Sequence, residues 1–98
     1  MKLDVSKEHL LLICNILKNY NDLDFYAFGS RVKGSAKKLS DLDLVIKSPV
    51  DKVKLSSIRE DFEESRLPYK IDLVVWDDIT DSFKKNIETD LLCLRTCC

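Results

Sequence analysis

Between Gly29 and Lys47 the chain reads GSRVKGSAKKLSDLDLVIK: a glycine-serine pair, ten intervening residues, then two aspartates flanking one leucine. A third carboxylate, Asp72, opens the later apolar run IDLVVWD. Strand side chains alternate between faces, so Asp41, Asp43 and Val45 point one way and Leu42, Leu44 and Ile46 the other. The same rule groups Asp72 with Val74 and Trp76. If the two strands are neighbours, three carboxylates gather at one end of a sheet, where like charges about 5 Å apart repel by about 3 kcal/mol at an effective dielectric near 20. Such a cluster calls for a cation. Magnesium suits it, because this hard ion takes one or two carboxylates and keeps positions for water and substrate phosphates. Two ions held this way activate an attacking hydroxyl and stabilise a leaving pyrophosphate.

Gly29 and Ser30 supply the complementary half. A glycine after a strand allows close backbone approach, and the start of a following helix points free N–H groups at an anion. Arg31, Lys33, Lys37 and Lys38 lie in a stretch, Phe25 to Ser40, that holds no acidic residue. A basic loop beside an acidic strand is a seat for a metal-bound triphosphate. A second DLD, Asp22-Leu23-Asp24, lacks the upstream Gly-Ser and reads as solvated capping at a strand entrance. Tyr69 and Trp76 read as core or rim aromatics.

These residues need elements to hold them. Leu10, Ile13, Cys14 and Leu17 recur at helical spacing between Ser6 and Asn19, with Ser6 as cap. Residues 23–28 form a first strand that Gly29 ends. A brief helix follows over 30–36 and a loop over 37–40, then a second strand over 42–47. Residues 51–65 carry Val53, Ile58 and Phe62 among charges, as a surface helix does. A third strand spans 69–76, and a fourth helix runs from Asp77-Asp78 to about Asp90 with Ile79, Phe83 and Ile87 on one face. The expected architecture is α/β: a small mixed three-stranded sheet flanked by about four helices, in a single domain over 1–98.

Composition bounds the function. Sixteen basic and seventeen acidic side chains leave a formal charge of -1, which removes the global attraction of nonspecific nucleic-acid binders. No apolar run reaches the roughly 20 residues of a membrane span, and no signal peptide is legible, so a cytoplasmic protein is expected. Cys14, Cys93, Cys97 and Cys98 with the lone His9 make neither a zinc set nor a disulfide ladder, and reduced thiols are expected.

The stretch resembles the nucleotidyltransferase superfamily of DNA polymerase beta, and most closely its minimal bacterial and archaeal members. Their signature is Gly-Ser, ten residues, Asp-x-Asp and a later third carboxylate, met here by Gly29-Ser30, Asp41-Leu42-Asp43 and Asp72. GSRVKG and SDLDLVI extend the likeness, and the element order matches over about residues 8–88. The resemblance implies the polymerase beta-like nucleotidyltransferase fold. It also implies transfer of a nucleoside monophosphate, AMP foremost, from ATP or another nucleoside triphosphate. Asp41, Asp43 and Asp72 are then the catalytic, magnesium-binding carboxylates, with Asp72 helping to activate the acceptor hydroxyl. Nucleotide contacts are expected at Gly29, Ser30, Arg31, Lys33 and Ser40.

Minimal members of this kind are often antitoxins of HEPN-type ribonuclease toxins, which some of them modify with AMP on a tyrosine. The resemblance therefore implies a HEPN-family protein partner, in a homo- or hetero-oligomer. Two other readings stay open: a binding module that neutralises its toxin by contact alone, and a small-molecule nucleotidyltransferase that borrows its acceptor site from a dimer. The segment LLCLRTCC maps onto nothing in the family and is compatible with a further strand, a dimer contact or a partner contact.

Overall fold

The computed structural model describes residues 2–98. Ser6 caps α1 (Lys7–Leu17), its hydroxyl accepting from the His9 amide at 3.1 Å. Asp51 caps α3 (Lys52–Glu63) through the Lys54 amide at 2.7 Å, and Thr80 caps α4 (Asp81–Ile87) through the Phe83 amide at 3.1 Å. In each case a side-chain oxygen satisfies an amide that has no partner inside the helix. Between β1 (Phe25–Phe28) and β2 (Leu42–Ile46) lies α2 (Ser30–Lys33), one turn that ends at Gly34 in the left-handed conformation.

The strands form one mixed sheet in the order β3-β2-β1-β4, with β3 at Ile71–Val75 and β4 at Leu92–Cys93. β1 runs antiparallel to β2, and β2 runs parallel to β3. The sheet thus has four strands where three were expected. The fourth comes from the unassigned LLCLRTCC segment, whose Leu92 and Cys93 pair with Ala27 and Tyr26. Leu94 follows into the main core, fully buried, and Arg95 donates to the carbonyls of Tyr20 and Leu23 at 3.0 and 2.7 Å.

Alternation along the strands divides the apolar residues as the sequence predicts. Phe25, Ala27, Leu42, Leu44, Ile46 and Leu73 pack with Ile13 and Leu17 of α1 and Ile58 and Phe62 of α3. On the other face Phe28, Val45 and Ile87 form a smaller cluster with Tyr26, Val74 and Trp76. β2 is buried on both faces apart from Asp43, as befits an inner strand.

Two cysteines depart from the expectation of reduced thiols. Cys14 of α1 and Cys98 are disulfide-bonded across a sequence separation of 84, while Cys93 and Cys97 are free thiols. α1 and the β4 segment converge on the same part of the core, which brings these two sulfurs together. Among the described residues no helix is long and apolar enough to cross a membrane.

Candidate active site

Opposite strand directions bring the chemistry to one margin of the sheet. β1 ends where β2 and β3 begin, so Phe28 pairs with Asp43, and Asp43 pairs in turn with Asp72. Adjacent strands lie about 4.8 Å apart, and register partners project from the same face. Asp43 and Asp72 therefore stand side by side on the face of the smaller cluster, with Asp41 exposed at the entrance to β2.

Gly29 closes this margin from the β1 side. Its backbone, at φ 79° and ψ -154°, is open to glycine alone, and it lies against Asp43: a β-carbon here would collide with the Asp43 carboxylate, sitting 3.3 Å from its Cγ. The turn and the carboxylate are in direct contact. The first amides of α2, at Ser30 and Arg31, have no helical partner by position.

Electrostatics single out Asp43. Burial pushes its carboxyl up to about 6, and the charges of Asp72 and Asp41 push in the same direction. A half-buried carboxylate held beside two others is stabilised by a bound cation. The donors are all hard oxygens, as magnesium prefers. Among the described residues no group of three or more His, Cys, Asp or Glu side chains is arranged to hold an ion by itself. The set fits an ion that shares its coordination between a pair of carboxylates and substrate phosphates.

The basic residues divide by environment. Arg31 is buried, at 5% exposure. Its Nε donates to the Ser40 carbonyl at 3.0 Å, and its terminal nitrogens donate to the carbonyls of Asp4, Lys38 and Lys37 at 2.9, 3.1 and 3.4 Å. The guanidinium also stacks 3.8 Å from the centroid of the Tyr69 ring, which meets the His9 ring nearly at right angles with centroids 5.4 Å apart. Arg31 thus clasps the loop that joins α2 to β2, and its planar donors are spent on protein carbonyls.

Ser40 belongs to that loop, its hydroxyl accepting from the Lys37 amide at 2.8 Å. Lys33 is exposed and forms an ion pair with Asp90 at 3.4 Å. Ser30 is half-buried at the head of α2. Sequence reasoning placed Arg31 and Ser40 beside the phosphates. Their loop-holding geometry depends on the carbonyls of Asp4, Lys37 and Lys38 as well as that of Ser40 itself, which spacing cannot reveal.

The second DLD stays apart. Asp22 pairs with Lys54 at 2.8 Å, and this hydrogen bond holds its carboxyl below the usual range. The Asp24 amide donates to Ser48 at 2.8 Å, at the opposite margin.

Comparison with known proteins agrees with this geometry. Residues 10–93 match the nucleotidyltransferase domain family. Over 89 residues, covering 88% of this chain and 78% of the relative, the sequence is 43% identical to the probable protein adenylyltransferase MntA of Haemophilus influenzae.

Proposed function

Because the chain belongs to the nucleotidyltransferase domain family, we propose that it transfers AMP from ATP to a hydroxyl of a partner protein, a HEPN-type ribonuclease toxin that it thereby neutralises. The observation that carries this reading is the parallel pairing of Asp43 with Asp72 directly against the Gly29 turn. The likeness to a probable protein adenylyltransferase supports adenylyl transfer and a protein acceptor.

In this reading the paired carboxylates of Asp43 and Asp72, with Asp41 beside them, would hold magnesium, two ions in all, together with the substrate phosphates. Bound magnesium supplies charge neutralisation and Lewis-acid polarisation of the phosphate and acceptor oxygens. Gly29 and Ser30 bring main-chain amides to the triphosphate, with Lys33, exposed beside Asp90, as a cation at the rim. Arg31 and Ser40 fix the loop that aims Asp41. Asp72, exposed at the outer strand, takes the proton of the acceptor hydroxyl as its oxygen bonds the α-phosphorus. The bond to the β-phosphate breaks and pyrophosphate leaves. A triphosphate donor fits a cytoplasmic chain, in which Cys14 and Cys98 would be held as thiols.

The test is label transfer. With radiolabelled ATP, magnesium and the co-expressed ribonuclease, label should appear on the ribonuclease and disappear with Asp43→Asn. If the double variant Asp41→Asn, Asp43→Asn still neutralises the toxin in cells, contact alone explains the antitoxin effect and the enzymatic reading fails.

A further inference from the structure

The two edges of the sheet are unequal. β4 is two residues long, and its segment is tied down by the buried Leu94 and by Arg95 on the carbonyls of Tyr20 and Leu23. β3 is five residues long and outermost, with neither proline nor bulge to blunt it. Its hydrogen-bonding direction follows from two contacts. The Lys70 carbonyl accepts from the Leu42 amide at 2.9 Å, so Lys70, Asp72 and Val74 face β2. Ile71 and Leu73 therefore turn their main-chain groups outward, and Arg59 of α3 indeed donates to the Leu73 carbonyl from that side at 3.0 Å. The amides of Ile71 and Leu73 and the carbonyl of Ile71 point away from β2, on the side of a cavity that both residues line.

That space is a groove of about 420 Å³ between the end of α3 and the β3 edge. Phe62, Leu67 and Ile71 give it an apolar floor, Glu63 and Lys70 stand at its walls, and Asp72 also lines it. Asp72, on the outermost strand, thus belongs both to the lining of the groove and to the carboxylate margin.

We propose that this edge is the docking track for the acceptor: an extended segment of the partner protein adds as a strand beside Ile71–Leu73 and delivers its hydroxyl-bearing residue to Asp72. The proposal rests on the adenylyl-transfer reading above. Extended backbone is the occupant because the groove offers main-chain donors and an acceptor at strand spacing, about 6.6 Å between alternate residues, with apolar room for every second side chain. A free small-molecule hydroxyl has no use for that ladder. Along this track the acceptor oxygen reaches the α-phosphorus, pyrophosphate departs, and the hydroxyl proton passes to Asp72.

The experiment combines label transfer with amide hydrogen exchange, using the full chain, radiolabelled ATP and the co-expressed partner protein. Exchange at Ile71 and Leu73 should slow at least tenfold in the complex. Glu63→Arg and Leu67→Arg should each lower labelling of the partner at least tenfold at limiting partner concentration, with magnesium-ATP affinity within twofold of the native chain. Labelling that persists in both variants, with no protection at Ile71 and Leu73, overturns the track and leaves adenylyl transfer standing. So does protection of the same amides by self-association without partner, whereas equal labelling of free tyrosinamide by native and variant chains is expected, because the variants leave the reaction centre intact. If the native chain labels nothing, adenylyl transfer fails and the track with it. The exchange measurement needs no variant, so a folding defect in Leu67→Arg does not shield the proposal.

Discussion

The carboxylate of Asp43 fills the space that a β-carbon on Gly29 would need. Turn and carboxylate are thus pressed together with no side chain between them, so any β-carbon at position 29 would displace the carboxylate.

Gly29→Ala should therefore fail twice. The backbone conformation alone costs about 1–3 kcal/mol for a residue with a β-carbon, and the collision displaces Asp43 as well. Gly34 is the matched control, with a comparable φ of 78° but open space around it. Gly34→Ala should cost about 1–2 kcal/mol and leave magnesium-ATP affinity unchanged. Thermal unfolding and nucleotide titration of both variants check this; equal loss of affinity at the two glycines would refute it.

Asp43 sets a pH dependence of stability. Its carboxyl titrates at about 6 in the folded chain against an ordinary 3.8. Between those values the native state binds the proton that the unfolded state has released, so stability falls as pH rises from about 4 to 6. In metal-free buffer the unfolding temperature should be higher at pH 5 than at pH 7. Asp43→Asn should flatten the difference and, after allowance for solvent screening, gain about 1 kcal/mol at pH 7, or roughly 4–8 °C.

Arg31 discriminates between clasp and phosphate ligand. Arg31→Met leaves four carbonyl contacts unmade, and its expected cost is about 2–4 kcal/mol, visible as a lower unfolding temperature with or without nucleotide. A phosphate ligand would instead give a native unfolding temperature and a weakened ATP affinity. Tyr69→Phe should be neutral or slightly stabilising, because the buried Tyr69 hydroxyl has no hydrogen-bond partner among the described residues.

Reduction should matter to the oxidised protein. Closing a loop across 84 residues stabilises by about 4 kcal/mol in the chain-entropy account, so dithiothreitol is expected to lower the unfolding temperature by more than about 10 °C. Cys98→Ser should start at the lower value and ignore the reductant.

The elements around the site were legible because their patterns are long enough to read. Asp41 to Ile46 alternates through β2, and Ile13 with Leu17 marks the buried stripe of α1. The pairing of Asp43 with Asp72 was conditional on β2 and β3 being neighbours, which no residue within either strand can specify. β4 is too short to carry a period of two, so its existence depends on what β1 leaves unpaired. The carbonyl contacts of Arg31 were hidden for a related reason: a cation after Gly-Ser looks alike whether it meets phosphate or four carbonyls from Asp4, Lys37, Lys38 and Ser40.

Strand polarity sorts the connections into two kinds. The segments after β1 and before β2 and β3 all open onto the margin that holds Gly29, Asp43 and Asp72. The turns at Asn21–Asp24 and Lys47–Asp51 open onto the far side. Sequence grafted into those distal turns, such as an affinity tag or a fluorescent reporter, would ride on the molecule away from the carboxylates, whereas a single residue added between Gly34 and Ser40 would shift the entire loop that Arg31 clasps.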